Sequence, residues 1–160
     1  MKKLTRIIIL VLLICLTGTV RSMTQPLDEH EKEGLSHFHK AFYEATPRKD
    51  RAKAEAHYRM AEKAFQKAIE KNPHRVESYV HLGRTYFVQK KYKKAATTYR
   101  KALKLAPEQK EIYLQLASAL EMGGDFAGAV DVLKQLREKE TDERALQILD
   151  DFIRKIESKY

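Results

Sequence analysis

Apolar side chains recur along most of this chain at steps of three and four residues, the spacing that places them on one face of an α-helix. Two such stripes follow one another in the middle of the sequence: Tyr79, Leu82, Gly83 and Tyr86, then Tyr92, Ala95, Tyr99 and Ala102. Pro73 and Pro107 bracket them, and the residue before a proline avoids the helical region of backbone space. The pattern therefore predicts a pair of amphipathic helices joined by a short turn.

The same stripes return after 34 residues, so the chain is internally repetitive. Pro73 corresponds to Pro107 at this offset, and Tyr79 corresponds to Tyr113. Further matches at the same offset are Ala61 with Ala95 and Ala129, Phe65 with Tyr99 and Leu133, and Ala68 with Ala102 and Leu136. A fixed period of this length is typical of stacked helix–turn–helix units, each burying its apolar face against its neighbours.

The unit over residues 76–109 resembles the tetratricopeptide repeat family. It carries the family signature at Tyr79, Leu82, Gly83, Tyr86, Ala95, Tyr99, Ala102 and Pro107. The next unit keeps the pattern but has Thr141 in place of the closing proline. The resemblance implies an all-α, right-handed superhelical solenoid of about three helix pairs with a capping helix at its C-terminal end. It also implies a non-catalytic role in binding other proteins.

The first and last units depart from the period. Pro47 lies where an unmodified register requires helix, so the first unit has gained residues. We expect its first helix to place Leu35, Phe38, Phe42 and Ala45 in the core, and the final helix to cover the open end of the stack with Ala145, Leu149, Phe152 and Ile156. The predicted division is a degenerate first repeat over 29–75, repeats over 76–109 and 110–141, and a capping helix over 142–160.

Residues 1–22 have the composition of a targeting segment, and a linker is predicted over 23–28. Lys2, Lys3 and Arg6 precede an unbroken apolar run over residues 7–16. Three interpretations stay open: an export signal cleaved after Ser22, an uncleaved membrane anchor over residues 4–20, and a lipoprotein modified at Cys15. Each places the body of the chain outside the cytoplasm, in the periplasm or cell envelope of a bacterium.

The resemblance implies a partner-binding groove on the concave side of the solenoid, which the first helices of each pair line with the face that points away from their repeat stripe. The candidate residues are Glu77, Val80, His81, Arg84, Phe87, Val88, Glu111, Leu114, Gln115, Ser118 and Met122. Their apolar members could equally pack against neighbouring helices, because apolar groups outside the core need some cover. The family's clamp for C-terminal carboxylates uses several cations, and Arg84 is the one cation at the matching positions, so that ligand is not expected here.

Positive charge is concentrated away from the C-terminal third. The net charge is +9 over residues 23–107 and −4 over residues 108–160. We expect one basic face on the turn and outer side of a second helix, formed by Lys90, Lys91, Lys93, Lys94, Lys101 and Lys104. This face is either a solvated surface or an alternative site for an anionic polymer or membrane surface, with nucleic acid the least expected ligand.

Residue types that carry catalysis do not form a recognisable motif. His30, Glu33 and His37 could share one helix face and hold a metal weakly, but a solvated polar face explains them as well. His37 and His39 point in different directions on a helix. We therefore expect no metal, no cofactor and no enzymatic activity, and the partner is expected to be another, unidentified protein. The oligomeric state is left open.

Overall fold

The computed structural model describes residues 26–47 and 50–158, and in this part of the chain all regular structure is helical. The predictions for the N-terminal segment, including Cys15, concern residues outside the described ranges. The helices are α1 (Glu29–His39), which continues as a π-helical segment (Lys40–Ala45), α2 (Arg51–Lys71), α3 (Val76–Val88), α4 (Tyr92–Leu105), α5 (Lys110–Met122), α6 (Phe126–Lys139) and α7 (Glu143–Glu157).

Each helix packs against the next one along the chain, and α1 also touches α3. This order of contacts is that of a solenoid built from the pairs α1/α2, α3/α4 and α5/α6, with α7 at the end. The predicted all-α fold is confirmed. Of the eight signature residues, Tyr79 is half-buried and Pro107 is exposed, and the other six are buried: Leu82, Gly83, Tyr86, Ala95, Tyr99 and Ala102.

A close approach between the two helices of a pair depends on glycine. A Cβ atom at Gly83 would lie 2.5 Å from Cε1 of Tyr99, and one at Gly34 would lie 2.6 Å from Cε1 of Phe65. The buried Ala117 stands where these glycines stand, and the smaller Leu133 replaces the ring. A small residue on the first helix is therefore matched to a large ring on the second.

The loops that enter α3 and α5 are fixed by the same bond in both repeats. The hydroxyl of Tyr79 donates to the carbonyl oxygen of Pro73 at 3.0 Å, and the hydroxyl of Tyr113 donates to that of Pro107 at 3.0 Å. Because the bond joins a helix to the loop before it, it satisfies a carbonyl that no helix uses. The period in the sequence thus corresponds to a repeated hydrogen bond.

The first pair is longer than the others, and its first helix differs from our expectation. Helix α2 has 21 residues, whereas α4 and α6 each have 14. Phe42 was expected in the core but is 41% exposed, whereas Ala45 is buried as expected and Ala41 is buried in addition. The π-helical turn explains the difference, because its i→i+5 bonds, such as Thr46 N–H to the Ala41 carbonyl, add one residue and rotate those that follow.

A buried carboxylate ties the first pair to the second. Glu31 is fully buried and accepts from Arg75 Nε at 2.6 Å and from Ser78 Oγ at 2.5 Å. It also accepts from the backbone N–H of Asp28 at 3.1 Å as part of a capping box at the start of α1. One side chain therefore satisfies a helix start and joins α1 to the loop and helix that follow α2.

The final helix covers the stack with a stripe shifted from the predicted one. Leu149, Ile153 and Ile156 are buried, whereas Phe152 is 47% exposed and Ala145 is half-buried. The prediction that Phe152 lies in the core is therefore wrong. Asp142 caps the helix by accepting from Ala145 N at 2.9 Å. The buried stripe runs through Ile153, and the adjacent Phe152 lines a pocket together with Leu114 of α5.

Gly83→Ala should destabilise the fold by about 1–3 kcal/mol, because its Cβ would overlap the Tyr99 ring. In an unconstrained helix the same change would stabilise by roughly 1 kcal/mol. Urea denaturation measures the difference. The double variant Gly83→Ala with Tyr99→Leu has the same two residue types as the next repeat. It should recover part of the unfolding free energy that Gly83→Ala alone loses. An equal or larger loss in the double variant would contradict the size-matching explanation.

Ile153→Ala should cost about 2–5 kcal/mol, the range for truncating a buried aliphatic side chain. Phe152→Ala on the same helix removes a larger side chain that is half outside the core, so it should cost much less. Thermal or urea unfolding of the two variants gives the comparison directly. If Phe152→Ala proves the more destabilising change, the placement of α7 is wrong.

Candidate functional site

A groove runs along the inner side of the solenoid, where the first helices of successive pairs lie next to each other. Its first part is a pocket of about 270 Å³ between α3 and α5, formed mainly by apolar surface. The residues that line it are Arg84, Phe87, Tyr99, Leu114, Gln115 and Ser118. Tyr99 reaches it from α4, so the ring that fills the gap at Gly83 also contributes to the floor of the pocket.

The second part is a pocket of about 260 Å³ between α5 and α7. It is lined by Leu114, Ala117, Ser118, Glu121, Leu133, Ile148, Leu149, Phe152 and Ile156. Leu114 and Ser118 line both pockets, which makes them adjacent parts of one groove. Three large apolar side chains on its rim are substantially exposed: Leu114 at 46%, Phe152 at 47% and Ile148 at 63%.

The structure brings five of the predicted groove residues into the first pocket: Arg84, Phe87, Leu114, Gln115 and Ser118. The other six line neither pocket: Glu77, Val80, His81, Val88, Glu111 and Met122. Val80 packs against the core, and the ring of His81 stacks on Phe65 at 5.4 Å between centroids. Val88 lies beside Lys90 in a different pocket.

Sequence reasoning missed the contribution of α7 to the groove. Ile148 is absent from the predicted stripe, and Phe152 is predicted to lie in the core. The sequence signal for Ile148 and Phe152 is the width of the apolar stripe on α7. Leu149, Ile153 and Ile156 already form a stripe that covers the end of a helix pair, so the two further apolar residues extend beyond it. A helix with apolar groups beyond its buried face has a second surface to cover.

Polar groups are few in the first pocket. The Oε1 atom of Gln115 is buried and has no hydrogen-bond partner among the described residues. Burial raises the pKa of Tyr99 to about 12, and the nearby Arg84 acts in the opposite direction, so the phenol stays protonated at neutral pH. An apolar floor with one cation, one amide and one phenol suits a peptide segment with apolar anchors.

The predicted basic residues differ in their surroundings. Lys91 pairs with Glu62 at 3.2 Å, and Lys94 lies 5.4 Å from the centre of the Tyr86 ring. Lys90 and Lys93 are exposed, and Lys90 forms the apex of the α3–α4 turn with a positive φ of 60°. Lys101 lines a pocket between α2, α3 and α4, and Lys104 is exposed in the last turn of α4.

The histidines form a pair that the sequence did not indicate. Nδ1 of His37 and Nδ1 of His57 are 3.1 Å apart across α1 and α2, and the two rings stack. His30 instead lies 3.7 Å from Glu33. Within residues 26–47 and 50–158, no three or more histidine, cysteine or acidic side chains are placed to hold a metal ion, and no helix has the length and apolarity needed to cross a membrane.

Comparison with known proteins gives a consistent family. Two family models described as tetratricopeptide repeat match residues 50–110 and 89–150. Tetratricopeptide repeat protein 30 homologs of Drosophila pseudoobscura pseudoobscura and Drosophila melanogaster are 39% and 38% identical over 69 residues, which is 42% of this chain and 11% and 10% of those proteins. The chain therefore spans about a tenth of the length of these curated relatives.

Three solved structures share the fold. The N-terminal domain of stress-induced protein-1 from C. elegans is 20% identical, with a TM-score of 0.52 over 82% of this chain and 99% of that one. The Yersinia enterocolitica type III secretion translocator chaperone SycD is 17% identical, with a TM-score of 0.57 over 78% and 83%. The first TPR of Spaghetti (RPAP3), bound to an HSP90 peptide, is 16% identical, with a TM-score of 0.54 over 80% and 95%.

The chain thus contains tetratricopeptide repeats and has the helical solenoid fold of that class. Domains of this class generally mediate protein–protein interaction and are typically not enzymes. No particular partner follows from the fold alone, because likeness at this level of identity concerns the arrangement of helices.

The free energy of unfolding should fall as the pH drops below about 6.5. The pKa of His81 is lowered by burial and then by Arg84, and that of His37 by burial, His57 and Lys40, although Glu31 and Glu33 act in the opposite direction on the two groups. Both histidines therefore bind protons more readily in the unfolded chain than in the folded protein. The stability that this difference contributes is fully present above the unfolded pKa of 6.5, and it is lost as the pH falls through the folded pKa values.

Urea denaturation between pH 7.5 and 5.5 measures this dependence, whose ceiling is about 1.4 kcal/mol per pH unit for each proton. His81→Gln should remove the larger part of the slope, since His81 is packed more deeply than His37. A slope that is unchanged in both His81→Gln and His37→Gln would assign the pH dependence to other groups.

Proposed function

We propose that this protein is a non-catalytic adaptor of the bacterial cell envelope that binds a segment of a partner protein in its concave groove. The observation that supports it most is the continuity of two apolar pockets, of about 270 and 260 Å³, through Leu114 and Ser118. Leu114, Ile148 and Phe152 are exposed along this groove. A ligand that covers them removes their apolar surface from water, which contributes favourable binding free energy.

The partner segment suited to this groove has two or more apolar anchors. Each pocket is large enough for one bulky side chain, and the polar groups lie to one side, at Arg84 and Gln115. Two solved structures with the same fold carry peptides: RPAP3 with an HSP90 peptide and SycD with a peptide of the translocator YopD. They support a peptide-binding mode, and the side chains that would select the peptide here are this chain's own.

The envelope location rests on the N-terminal sequence. The positively charged start at Lys2, Lys3 and Arg6, followed by the apolar run over residues 7–16, supports export in a bacterium. A cleaved signal, a retained anchor over residues 4–20 and lipidation at Cys15 all agree with that location. They differ in the mass of the mature protein and in its attachment to the membrane.

An alkaline phosphatase reporter fused after His30 should be active, because this enzyme gains activity only outside the cytoplasm. Mass spectrometry of the mature N-terminus then distinguishes cleavage after Ser22 from retention or from a lipid on Cys15. A fusion lacking residues 2–16 is the matched control and should be inactive. Activity confined to the cytoplasm, tested with a reporter that works only there, would contradict the export proposal.

Charges introduced into the groove should abolish partner binding without unfolding the protein. Leu114→Glu with Phe152→Glu alters two exposed anchors, each typically contributing about 2 kcal/mol or more, so affinity should fall at least several-hundredfold. Peptides selected on the parent protein from a random display library provide the probe, and isothermal calorimetry measures their affinity. The charge-altered control is Lys93→Glu with Lys101→Glu, which should change affinity less than tenfold.

Circular dichroism must show both double variants folded like the parent. If the groove variant keeps its affinity and the lysine variant loses it, the binding site lies on the basic face and the groove assignment is wrong. If no peptide with apolar anchors is selected at all, the proposed chemistry of the partner is wrong even though the fold stands.

A further inference from the structure

One edge of the solenoid, here called the turn edge, carries Thr46 after the first helix, the start of α2 at Arg51 and the α3–α4 turn side by side. A pocket of about 370 Å³ joins these parts and is lined by Thr46, Arg51, Ala54, Glu55, Tyr58, Val88, Gln89, Lys90 and Lys91. The turn edge shares no lining residue with the groove pockets. It is therefore a separate surface of the molecule.

Cations at the turn edge are mostly left without carboxylate partners. Among the described residues, no carboxylate oxygen lies within ion-pair distance of Arg51, Lys53, Lys90 or Lys93, and only Lys91 is paired, with Glu62 at 3.2 Å. Two of the nearby acidic side chains already have partners, because Asp50 accepts from Lys53 N as the cap of α2 and Glu55 pairs with Arg59 at 3.3 Å. Glu44 is exposed. The surface therefore presents an excess of positive charge.

The backbone of Lys90 gives an independent indication that this charge is used. Lys90 has a φ of 60°, a conformation that favours glycine. The corresponding residue of the next repeat, 34 positions later, is Gly124 with a φ of 82°. The same turn is thus built elsewhere in this chain with glycine, and here a cation occupies the strained apex. Strain of this kind, retained at an exposed turn, points to a role in binding.

Two exposed aromatic rings lie at the same end of the first helix pair. Phe42 is 41% exposed and Tyr43 is 65% exposed, with their ring centroids 5.0 Å apart. They lie within about one helical turn of Thr46, which lines the turn-edge pocket. Exposed aromatic rings beside unpaired cations are typical of surfaces that meet a bilayer, where rings enter the headgroup level and cations attract anionic lipids.

We propose that the turn edge docks on the surface of an anionic lipid bilayer, with Arg51 and Lys90 contacting lipid phosphates and with Phe42 and Tyr43 entering the headgroup layer. A soluble polyanion would use the cations and leave the rings in water, whereas a bilayer uses both. This docking is independent of the groove. It would hold the groove near the membrane whatever becomes of the N-terminal segment.

The sequence offers a direct reporter, because it contains no tryptophan. Tyr43→Trp in the full chain places a single tryptophan at the turn edge. With vesicles of phosphatidylglycerol and phosphatidylcholine, its emission should shift to shorter wavelength and be quenched by lipids brominated near the headgroup. Phosphatidylcholine vesicles alone should give neither effect. Phe152→Trp, in the groove, is the matched control and should respond to neither vesicle, even where the apolar N-terminal run attaches the chain to lipid.

Lys90→Gly in the Tyr43→Trp background separates charge from structure. The change relieves the strained φ, so the melting temperature should rise, while vesicle affinity should fall about fivefold for the loss of one cation. Lys104→Ala removes the same charge from the last turn of α4 and should leave vesicle affinity within twofold. Added salt should weaken binding of the parent steeply.

Three results would overturn the proposal. The tryptophan emission of the Tyr43→Trp variant could respond equally to neutral and anionic vesicles, which would remove the electrostatic basis. Lys104→Ala could weaken binding as much as Lys90→Gly, which would make the effect one of net charge. Soluble polyphosphate could bind the parent as tightly as vesicles do while brominated lipids fail to quench the introduced tryptophan, which would make a polymer, and not a bilayer, the ligand.

Discussion

The structure depends on one steric constraint, the absence of a side chain where an aromatic ring of the second helix crosses the first helix of the same pair. At Gly83 the space that a Cβ would need is filled by the ring of Tyr99, and at Gly34 it is filled by Phe65. The close approach buries the ring, and the buried ring fixes the distance between the helices. The third pair keeps a small residue opposite a smaller side chain, with Ala117 and Leu133 at these positions. Because the spacing within each pair is set at these positions, successive pairs can stack, and the recurrence after 34 residues reflects that stacking.

When such pairs stack, each first helix keeps one face that the second helix of its own pair does not cover. On α3 and α5 that face carries Phe87 and Leu114, and the ring of Tyr99 closes the floor between them. Helix α7 ends the stack and adds Ile148 and Phe152 to the same groove while burying Leu149, Ile153 and Ile156. Helix α7 thus covers the end of the stack on one side and lines the groove on the other, so Ile153 and Phe152, adjacent in sequence, have different surroundings.

The period could be predicted from sequence because the small and aromatic positions recur with fixed spacing and mark the buried faces directly. Phe42 and Phe152 were misplaced for local reasons that hydrophobicity does not encode. A π-helical turn rotates Phe42 out of the core, and α7 packs on the stack through Leu149, Ile153 and Ile156, which leaves Phe152 at the groove. The groove was predicted as one whole face of each first helix. Some residues of that face, such as Val80 and His81, are covered by neighbouring side chains and do not line the groove. The His37–His57 contact within the first pair and the Glu31 network between the first two pairs depend on the insertion in the first pair, whose register the period cannot supply.

The central claim is that a partner segment is held by the apolar rim that α5 and α7 form together. The most direct measurement is a set of intermolecular nuclear Overhauser effects between an isotope-labelled protein and an unlabelled peptide selected on it. We expect contacts from the peptide's apolar side chains to the methyl groups of Leu114 and Ile148 and to the ring of Phe152. Contacts confined to the outer faces of α4 and α6, with none to these three side chains, would contradict it.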